Sequence, residues 1–518
     1  MLSPALLATL VGFGLAVYIL GSYFRDPKRL RRFPAPSFAA FSPLWSMWYS
    51  WNGTQYKAIY AAHSRLGPIV RIAPHHISFT SPAAFRDIYG HGTSLVKDDF
   101  YAHIADGNPS MAQATDKSIH AAKRRNLAHV FSAKEITAVE PRVMKSVANL
   151  CSALRLKAAG GYIGPGDNYR VFNGIFDLRP WLNMLSYDAI SSVFFTNEYG
   201  FLQTGNDICS SMDEAGHKKS VNAMDTFHSA SIFNVTLAQL PSSLYKLGRR
   251  VLWFVHGNAQ GADFAGMSRA QVHHRLKNVS EQPDLFSRLP TEPTEKRPVP
   301  MSVEEIIAEC ATMLDAGNDT TQTSLTNCIY QLAQNPEKQL KLYWNLAAAV
   351  TEEHKQTGIL PSTILQHVPY LRAVLEESWR CRPPIARGLP RRTTGEATII
   401  AGHSIPAGVT VSAPIYALHR NNELFRRADD FIPERWMPEE KFGKDELEAK
   451  NLKEYCIPFS MGPRACIGKN LAYMEVSIVV AALVLNFEWE LADGFVMDTI
   501  ERFNCNPKEL LVRARPRG

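Results

Sequence analysis

The sequence has few of the features that mark a zinc-ribbon, disulfide-stapled or nucleic-acid-binding protein. Its 518 residues contain eight cysteines but no Cys-x-x-Cys pair and no regular cysteine spacing, which argues against a zinc ribbon and a disulfide framework. The net charge is only +7, and much of the local excess lies between Arg25 and Arg32, so no nucleic-acid partner is expected. The sequence shows no internal repeat and no long low-complexity segment. The composition, 46% hydrophobic and 20% charged, is that of a globular chain able to bury a large core.

The N-terminus carries no charged side chain from Leu2 to Phe24, a run as long as the roughly 20 residues that a helix needs to cross hydrocarbon. No basic segment precedes this run, and a cleaved signal would be shorter and end in small residues. We expect a transmembrane signal anchor over 1–24, a basic and proline-rich hinge over 25–40, and one large domain over 41–518. The positive-inside tendency predicts that this domain is cytosolic. The alternative is a cleaved signal or a buried helix, under which the sequons at Asn52, Asn234 and Asn278 would matter.

Helical patterns dominate the rest of the chain. A capping box at Ser302–Glu305 begins an apolar stretch that Asn335-Pro336 ends, which predicts a helix of about 30 residues through the interior. A second helix is predicted from about Leu365 to Arg382, before Pro383. Strand patterns at 397–400 and 409–411 lie beside turn signals. The predicted fold class is mainly α with small β-sheets.

One cysteine has a distinctive setting. Cys466 follows Arg464 and lies between Gly462 and Gly468, just before an apolar helical run. Backbone N–H groups at a helix start and a nearby cation stabilise a thiolate, the form that binds iron. The two glycines would let the backbone approach a cofactor closely. The alternative is a buried structural cysteine in a turn.

The long helix contains an acid and two alcohols in an apolar setting, Ala316-Gly317-Asn318-Asp319-Thr320-Thr321. The Thr320 hydroxyl can bond the carbonyl of Ala316, four residues back, and open the helix locally. Gly317 would let the helix approach a cofactor or substrate. The alternative is that these polar residues only solvate one helix face.

Together these segments resemble the cytochrome P450 family. Residues 459–468 match its haem-binding signature, Ala472 and Glu475 fall where the family commonly has them, and residues 316–321 match its oxygen-activation motif. Glu377 and Arg380 resemble its Glu-x-x-Arg motif, and Arg435 in 431–436 resembles the arginine that completes a buried network bracing the cysteine loop. The resemblance covers the chain after residue 24. It implies the cytochrome P450 fold, with a long central helix over haem b, preceded by one N-terminal transmembrane helix.

The resemblance also implies roles for individual residues. Cys466 would be the axial ligand of the haem iron, Thr320 would position dioxygen, and Asp319 would deliver protons. The substrate pocket would be lined by 100–111, 314–321 and 384–389, and Arg387 would meet a substrate carboxylate or, more in keeping with the family, a propionate or solvent. The other residues expected to bind the haem are His120, Arg124, Arg391, Phe459, Arg464 and Gly468.

The expected function is a monooxygenase that inserts one atom of dioxygen into an apolar organic substrate. Electrons would come from NADPH through a separate reductase, because no flavin or nicotinamide fingerprint occurs in the chain. The hydrophobic N-terminus followed by a proline hinge resembles that of microsomal members, which are anchored in the endoplasmic reticulum. It also resembles that of fungal enzymes of secondary metabolism. The alternatives are an isomerase, dehydratase or peroxide-driven enzyme on the same fold, a haem protein that only senses a ligand, and, more remotely, a zinc protein.

Overall fold

The computed structural model describes residues 21, 23–105, 108–161, 169, 171–278, 280–282, 284–292, 300–395, 397–437, 452 and 454–517. The predicted membrane anchor over 1–24 falls almost wholly outside these ranges, so the anchor stays a prediction.

Helices make up most of the described chain. Those of the first half are α1 (Leu44–Trp51), α2 (Gln55–Leu66), α3 (Pro82–Tyr89), α4 (Asp99–Ile104), α5 (Lys117–Leu127), α6 (Ala133–Ala158), α7 (Arg179–Phe195), α8 (Phe201–Thr204), α9 (Ala223–Leu237), α10 (Ser242–Val251) and α11 (Gln260–Lys277). Those of the second half are α12 (Val303–Gln334), α13 (Pro336–Ala347), α14 (Ser362–Leu365), α15 (Pro369–Cys381), α16 (Ile415–Leu418) and α17 (Lys469–Asn486).

The strands form one sheet of five strands, one of three, and three hairpins. The larger sheet has the order β1-β2-β10-β7-β3, the smaller has the order β11-β14-β4, and the hairpins are β5-β6, β8-β9 and β12-β13. The strands are β1 (Ile69–Ala73), β2 (His76–Phe79), β3 (Val96–Lys97), β4 (Phe176–Asp177), β5 (Ile208–Met212), β6 (Lys218–Asn222), β7 (Arg391–Arg392), β8 (Ala397–Ile400), β9 (His403–Pro406), β10 (Thr410–Ser412), β11 (Phe487–Leu491), β12 (Thr499–Glu501), β13 (Cys505–Pro507) and β14 (Leu511–Pro516). The mainly helical fold with small sheets is as predicted.

Helix α12 is the central element. The Ser302 hydroxyl caps its first turn by accepting a hydrogen bond from the Glu305 N–H, and the 32-residue helix ends at Gln334, before Pro336. It packs against α7, α11, α15 and α17, and most of its C-terminal half is buried. The predicted long internal helix is therefore confirmed.

The second predicted helix begins later than expected. The segment splits into the short α14 and then α15, which begins at Pro369 and ends at Cys381. Proline has no N–H to donate to the preceding turn, so Pro369 starts a new helix and cannot extend an earlier one. The predicted strands at 397–400 and 409–411 are present, the second displaced by one residue.

Helix α17 follows the cysteine loop and runs through the core. By length and composition it is the one described helix that could cross a membrane, but most of it is buried inside the protein. An apolar helix of this kind is what the interior of a large domain requires.

Candidate active site

A cavity of about 1390 Å³ lies beside the middle of α12. Its walls come from α5, α7, α9, α11, α12, α17 and the loop that carries Cys466. Pockets for single small ligands usually have about 300–1,000 Å³, so this one has room for a large cofactor together with a substrate.

The loop before α17 holds Cys466 in place through its backbone. The Cys466 N–H donates a 3.0 Å hydrogen bond to the carbonyl of Phe459. Gly462 has a φ of +69°, and a Cβ there would lie 2.2 Å from the Tyr89 carbonyl oxygen. Gly462 therefore serves the turn and the packing behind the loop, which corrects the expectation that it faces a cofactor. Gly468 does line the cavity.

The Cys466 side chain is exposed to the cavity although it lies deep inside the protein. Burial raises the pKa of its thiol, while the Gly468 N–H, Arg124 and Lys469 act in the opposite direction. A coordinated metal cation would supply the missing stabilisation of the thiolate. Within the described ranges, no group of three or more His, Cys, Asp or Glu side chains is arranged to hold a metal ion, so the site offers a single thiol to a cofactor.

The middle of α12 brings a hydroxyl to the same cavity. Thr320 Oγ1 donates a 2.7 Å hydrogen bond to the Ala316 carbonyl, as the spacing predicted, and both residues line the cavity. Gly317 lines the cavity too, and it also serves the packing of α12. A Cβ on Gly317 would lie 2.6 Å from Cδ1 of Ile190, so this glycine lets α12 approach α7.

The Asp319 carboxylate does not line the cavity. It accepts hydrogen bonds from Asn504 (2.7 Å) and Asn506 (2.8 Å) of the β12-β13 hairpin and from Gln322 (3.2 Å). His228 Nε2 of α9 lies 3.3 Å from its Oδ1. Burial opposes ionisation, but His228 and the two asparagines hold the pKa of Asp319 well below its usual range. The structure therefore does not bring Asp319 and Thr320 together in the wall, and proton delivery by Asp319 stays a prediction.

A group of cations lines one part of the cavity. Arg124 donates to the Ala465 carbonyl at 2.8 Å, and Arg464 donates to the Ala114 carbonyl at 2.7 Å. The register of β3 and β7 sets Lys97 beside Arg391. The members are Lys97, Arg124, Arg391 and Arg464, and the His120 imidazole lies among them.

These cations repel one another. Burial, followed by the charges of Arg464, Lys97, Arg124 and Arg391, lowers the pKa of His120 to about 3. Burial, Arg391 and Arg464 hold the pKa of Lys97 well below its usual value. No carboxylate of the described residues forms an ion pair with Lys97, Arg124, Arg391 or Arg464. A ligand with two carboxylates would neutralise this charge, so the residues fit the propionates of the expected haem.

The buried network predicted behind the cysteine loop is present. Glu377 accepts hydrogen bonds from Nε and Nη2 of Arg380, both at 2.8 Å, and from Nε of Arg435 at 3.0 Å. The Trp436 indole N–H adds a bond of 2.9 Å. Burial opposes ionisation of Glu377, but Arg380 and then Arg435 hold its pKa below the usual value.

This network reaches the cysteine loop through one histidine. Arg380 donates to the backbone carbonyl of His419 at 2.9 Å, and His419 Nε2 accepts a 3.1 Å hydrogen bond from the Ile457 N–H. Ile457 lies two residues before Phe459, whose carbonyl holds the Cys466 N–H. The network therefore braces the loop from behind.

The predicted pocket segments line the cavity in part. Tyr101, Ile104 and Met111 line it from 100–111, and Ile385 and Leu389 line it from 384–389. Arg387 does not line the cavity, so none of its expected partners, a substrate carboxylate, a propionate or solvent, fits its position. Its buried guanidinium lies 3.8 Å from Oε1 of Glu501, so it meets neither the cavity nor solvent.

Sequence reasoning missed other parts of the wall. Lys97 lies in no recognisable sequence motif. Only the pairing of its strand with the strand of Arg391 places it beside the other cations. Apolar side chains of α7, α9 and α11 also escaped notice, because nothing in their local pattern distinguishes a cavity wall from a core. They include Ile190, Phe194, Phe227 and Phe264.

Comparisons with known proteins agree with this geometry. A sequence model of the family described as "Cytochrome P450" matches residues 39–514. The chain is similar to benzoate 4-monooxygenase bphA of Aspergillus niger, with 30% identity over 99% of this chain and 96% of the relative. It is similar to the trichothecene C-15 hydroxylase of Fusarium sporotrichioides, with 28% identity over 94% and 93%. The crystal structure of a cytochrome P450 matches the fold with a TM-score of 0.72 and 19% identity, covering 94% of this chain and 99% of that one.

Proposed function

The chain belongs to the cytochrome P450 family and is a haem-dependent monooxygenase, and from that premise we propose that it oxidises an apolar small molecule of fungal secondary metabolism with Cys466 as the axial ligand. The observation that carries this proposal is that the Cys466 side chain, the Thr320 hydroxyl and the cation group all border one cavity.

The proposed haem contacts follow from the donor set. The Cys466 thiolate would ligate the iron, and the cation group would hold the propionates, with Arg124 and Arg464 already fixed by backbone carbonyls. Gly468 and Phe459 line the cavity next to the thiolate. When bound, the haem supplies the activation of dioxygen, one atom of which enters the substrate.

The chain's own residues manage the proton. Because the Thr320 hydroxyl donates to the Ala316 carbonyl, its oxygen is left to accept a hydrogen bond within the cavity. Asp319 directly precedes Thr320 in the helix, but its carboxylate lies outside the cavity lining, where four donors hold it. Asp319 can deliver a proton to the cavity only after one of these bonds opens.

The substrate class follows from the walls. Side chains such as Phe227, Phe264 and Ile385 give the cavity an apolar surface that excludes water and favours a carbon skeleton. Two relatives are named for oxidation of benzoate and of a trichothecene, so small aromatic and terpenoid skeletons are the first classes to screen.

The first experiment is the carbon monoxide difference spectrum of the dithionite-reduced protein. We expect a strongly red-shifted Soret band in the wild type, its loss in Cys466→Ser, and its retention in Cys209→Ser, whose thiol lies outside the cavity. A band at the position of histidine-ligated haem in the wild type would contradict the assignment of Cys466.

The source of electrons is the second test. A monooxygenase needs NADPH and a separate reductase, and Thr320→Ala should consume NADPH while releasing less oxidised product and more peroxide. Thr320→Ser keeps the hydroxyl and should retain coupling. Product formation from peroxide alone, or without any oxidant, would favour the peroxide-driven, isomerase or dehydratase alternatives.

We also propose that residues 1–24 anchor the chain in the endoplasmic reticulum membrane with the enzyme domain in the cytosol. The charge-free run from Leu2 to Phe24 and the basic cluster after it support this orientation. Deletion of 2–24 should move the protein from the membrane pellet to the supernatant. The sequons at Asn52, Asn234 and Asn278 should stay unglycosylated, and glycan on any of them would contradict the orientation.

A further inference from the structure

Asp315 is an acid in the cavity wall for which the proposed mechanism has no use. It lies on α12 one residue before Ala316, and its side chain borders the cavity. Five residues separate it from Thr320, which is an axial rise of about 7.5 Å on the helix. Asp315 therefore lies beside the space that a substrate must occupy, about one and a half helical turns away from Thr320.

Asp315 has no hydrogen-bond or ion-pair partner among the described residues. Two other acids of the wall have lysine partners, Asp263 with Lys219 at 2.6 Å and Glu309 with Lys123 at 3.0 Å. Glu475 also lacks a partner, but it lies on α17, nine residues after Cys466, and not on α12.

Among the residues that the structure describes, no cation lies close enough to Asp315 to neutralise it. Burial and the negative charge of Asp319, one turn further along α12, both raise the pKa of Asp315 far above its usual value. The hydroxyl of Tyr187 on α7 interacts electrostatically with Asp315, is fully buried and has no hydrogen-bond partner of its own. A carboxylate ionised at this place without a partner is costly, and a cation carried by a ligand would supply that partner.

We propose that Asp315 determines substrate specificity by binding a cationic nitrogen of the substrate. This inference deepens the proposed function and rests on it. An ammonium group beside Asp315 would give this acid of α12 the partner of opposite charge that it lacks, and it would direct the carbon skeleton toward Thr320. An aromatic carboxylate, such as the benzoate named for one relative, would gain no such partner in this place.

Three probes that share a benzyl group separate charge from shape. Benzyltrimethylammonium carries a permanent charge and cannot ligate iron, neopentylbenzene is its neutral isostere, and phenylacetate carries the opposite charge. Each is titrated into the haem-loaded full chain by calorimetry and by the shift of the Soret band. We expect the ammonium to bind about tenfold or more tightly than phenylacetate, the size of a charge-assisted contact.

Matched variants identify the residue responsible. Asp315→Asn keeps the shape and should weaken the ammonium by about tenfold while neopentylbenzene binds as before. Glu337→Gln removes an exposed acid of the next helix, α13, outside the cavity, and should change neither. Equal binding of ammonium and phenylacetate by the wild type, failure of the ammonium to bind, or an unchanged preference in Asp315→Asn would overturn the inference.

The outcomes also separate this inference from the proposed function. If the protein shows the red-shifted carbon monoxide band but binds the three probes equally, only the role of Asp315 is contradicted. If the band is absent, the proposed function is contradicted. If Asp315→Asn does not fold, the relative affinities of the wild type for the three probes still show whether the cavity prefers a cation.

Discussion

Nε of Arg435 donates a 3.0 Å hydrogen bond to Oε1 of Glu377, and both side chains are buried. The partners are 58 residues apart in the chain, and Arg380 binds the same carboxylate from within α15. One buried carboxylate thus joins two arginines, and the loss of either would remove a hydrogen-bond donor from that carboxylate.

We expect Arg435→Leu to lower the free energy of unfolding by about 1–3 kcal/mol, because Glu377 and the carbonyls of Arg426 and Arg427 each lose a buried hydrogen-bond donor. Thermal unfolding and haem content measure this effect. Arg426→Gln is the control, since Arg426 is exposed and only its backbone carbonyl touches the network. A fully stable Arg435→Leu protein would show that the network does not brace the fold.

Lys97→Met should have opposite effects on the haem-free and haem-loaded protein. Without haem, removal of one of several clustered cations relieves repulsion, so the melting temperature should rise. With haem, a propionate loses a partner, so dissociation of the haem should be about tenfold faster. Lys117→Gln, an exposed lysine outside the cavity, is the control. Unchanged haem dissociation would contradict the placement of the propionates.

Asp319→Asn tests whether Asp319 is mainly a structural acceptor. The substitution removes an ionised acceptor from Asn504 and Asn506 and should lower the free energy of unfolding by about 1–3 kcal/mol. Thr320→Ala should leave that free energy nearly unchanged and alter only the coupling of NADPH to product. If Asp319→Asn melts like the wild type and alters only the coupling, its main role is proton delivery.

Gly462→Ala should be far more damaging than an alanine at another left-handed glycine. Both Gly462 and Gly494 have a φ of +69°, but only the Gly462 Cβ would collide with backbone, at 2.2 Å from the Tyr89 oxygen. Gly494→Ala should cost about 1 kcal/mol, the strain of the left-handed conformation alone. Gly462→Ala should cost more and reduce the carbon monoxide band. Equal costs at the two sites would contradict the close packing behind the loop.

His63 should make the protein less stable in mild acid. Burial is the main cause that lowers its pKa from 6.5 to about 4. Between these values the unfolded chain binds a proton that the folded chain does not, so stability falls as the pH drops from 6.5 toward 4. At pH 5 the loss should be about 2 kcal/mol. The stability difference between pH 7 and pH 5 should shrink by about that amount in His63→Gln. An identical pH dependence in the variant would exclude His63 as the cause.

The local features of the sequence predicted the local features of the structure. The capping box and the proline gave the correct bounds of α12, and the four-residue spacing gave the bond between Thr320 and Ala316. These relationships depend only on residues within one or two helical turns, so a linear pattern contains them.

What could not be predicted depends on partners distant in the chain. Gly317 packs on Ile190, Gly462 packs on Tyr89, and Asp319 turns toward the β12-β13 hairpin instead of the cavity. Each of these contacts joins segments more than a hundred residues apart, and no residue spacing indicates which distant segment will arrive. Lys97 was missed for the same reason.

The β12-β13 hairpin has a consequence for the order of folding. Asn504 binds Asp319 across 185 residues of chain, and Glu501 accepts a hydrogen bond from the Tyr56 N–H across 445. Closing such long loops costs entropy before any contact repays it, whereas α12 and α17 gain their hydrogen bonds locally. The helices should therefore form first and the hairpin should dock last. Docking of the hairpin, which completes one wall of the cavity, would then be the slow step of folding. Haem can enter in the interval before the hairpin docks.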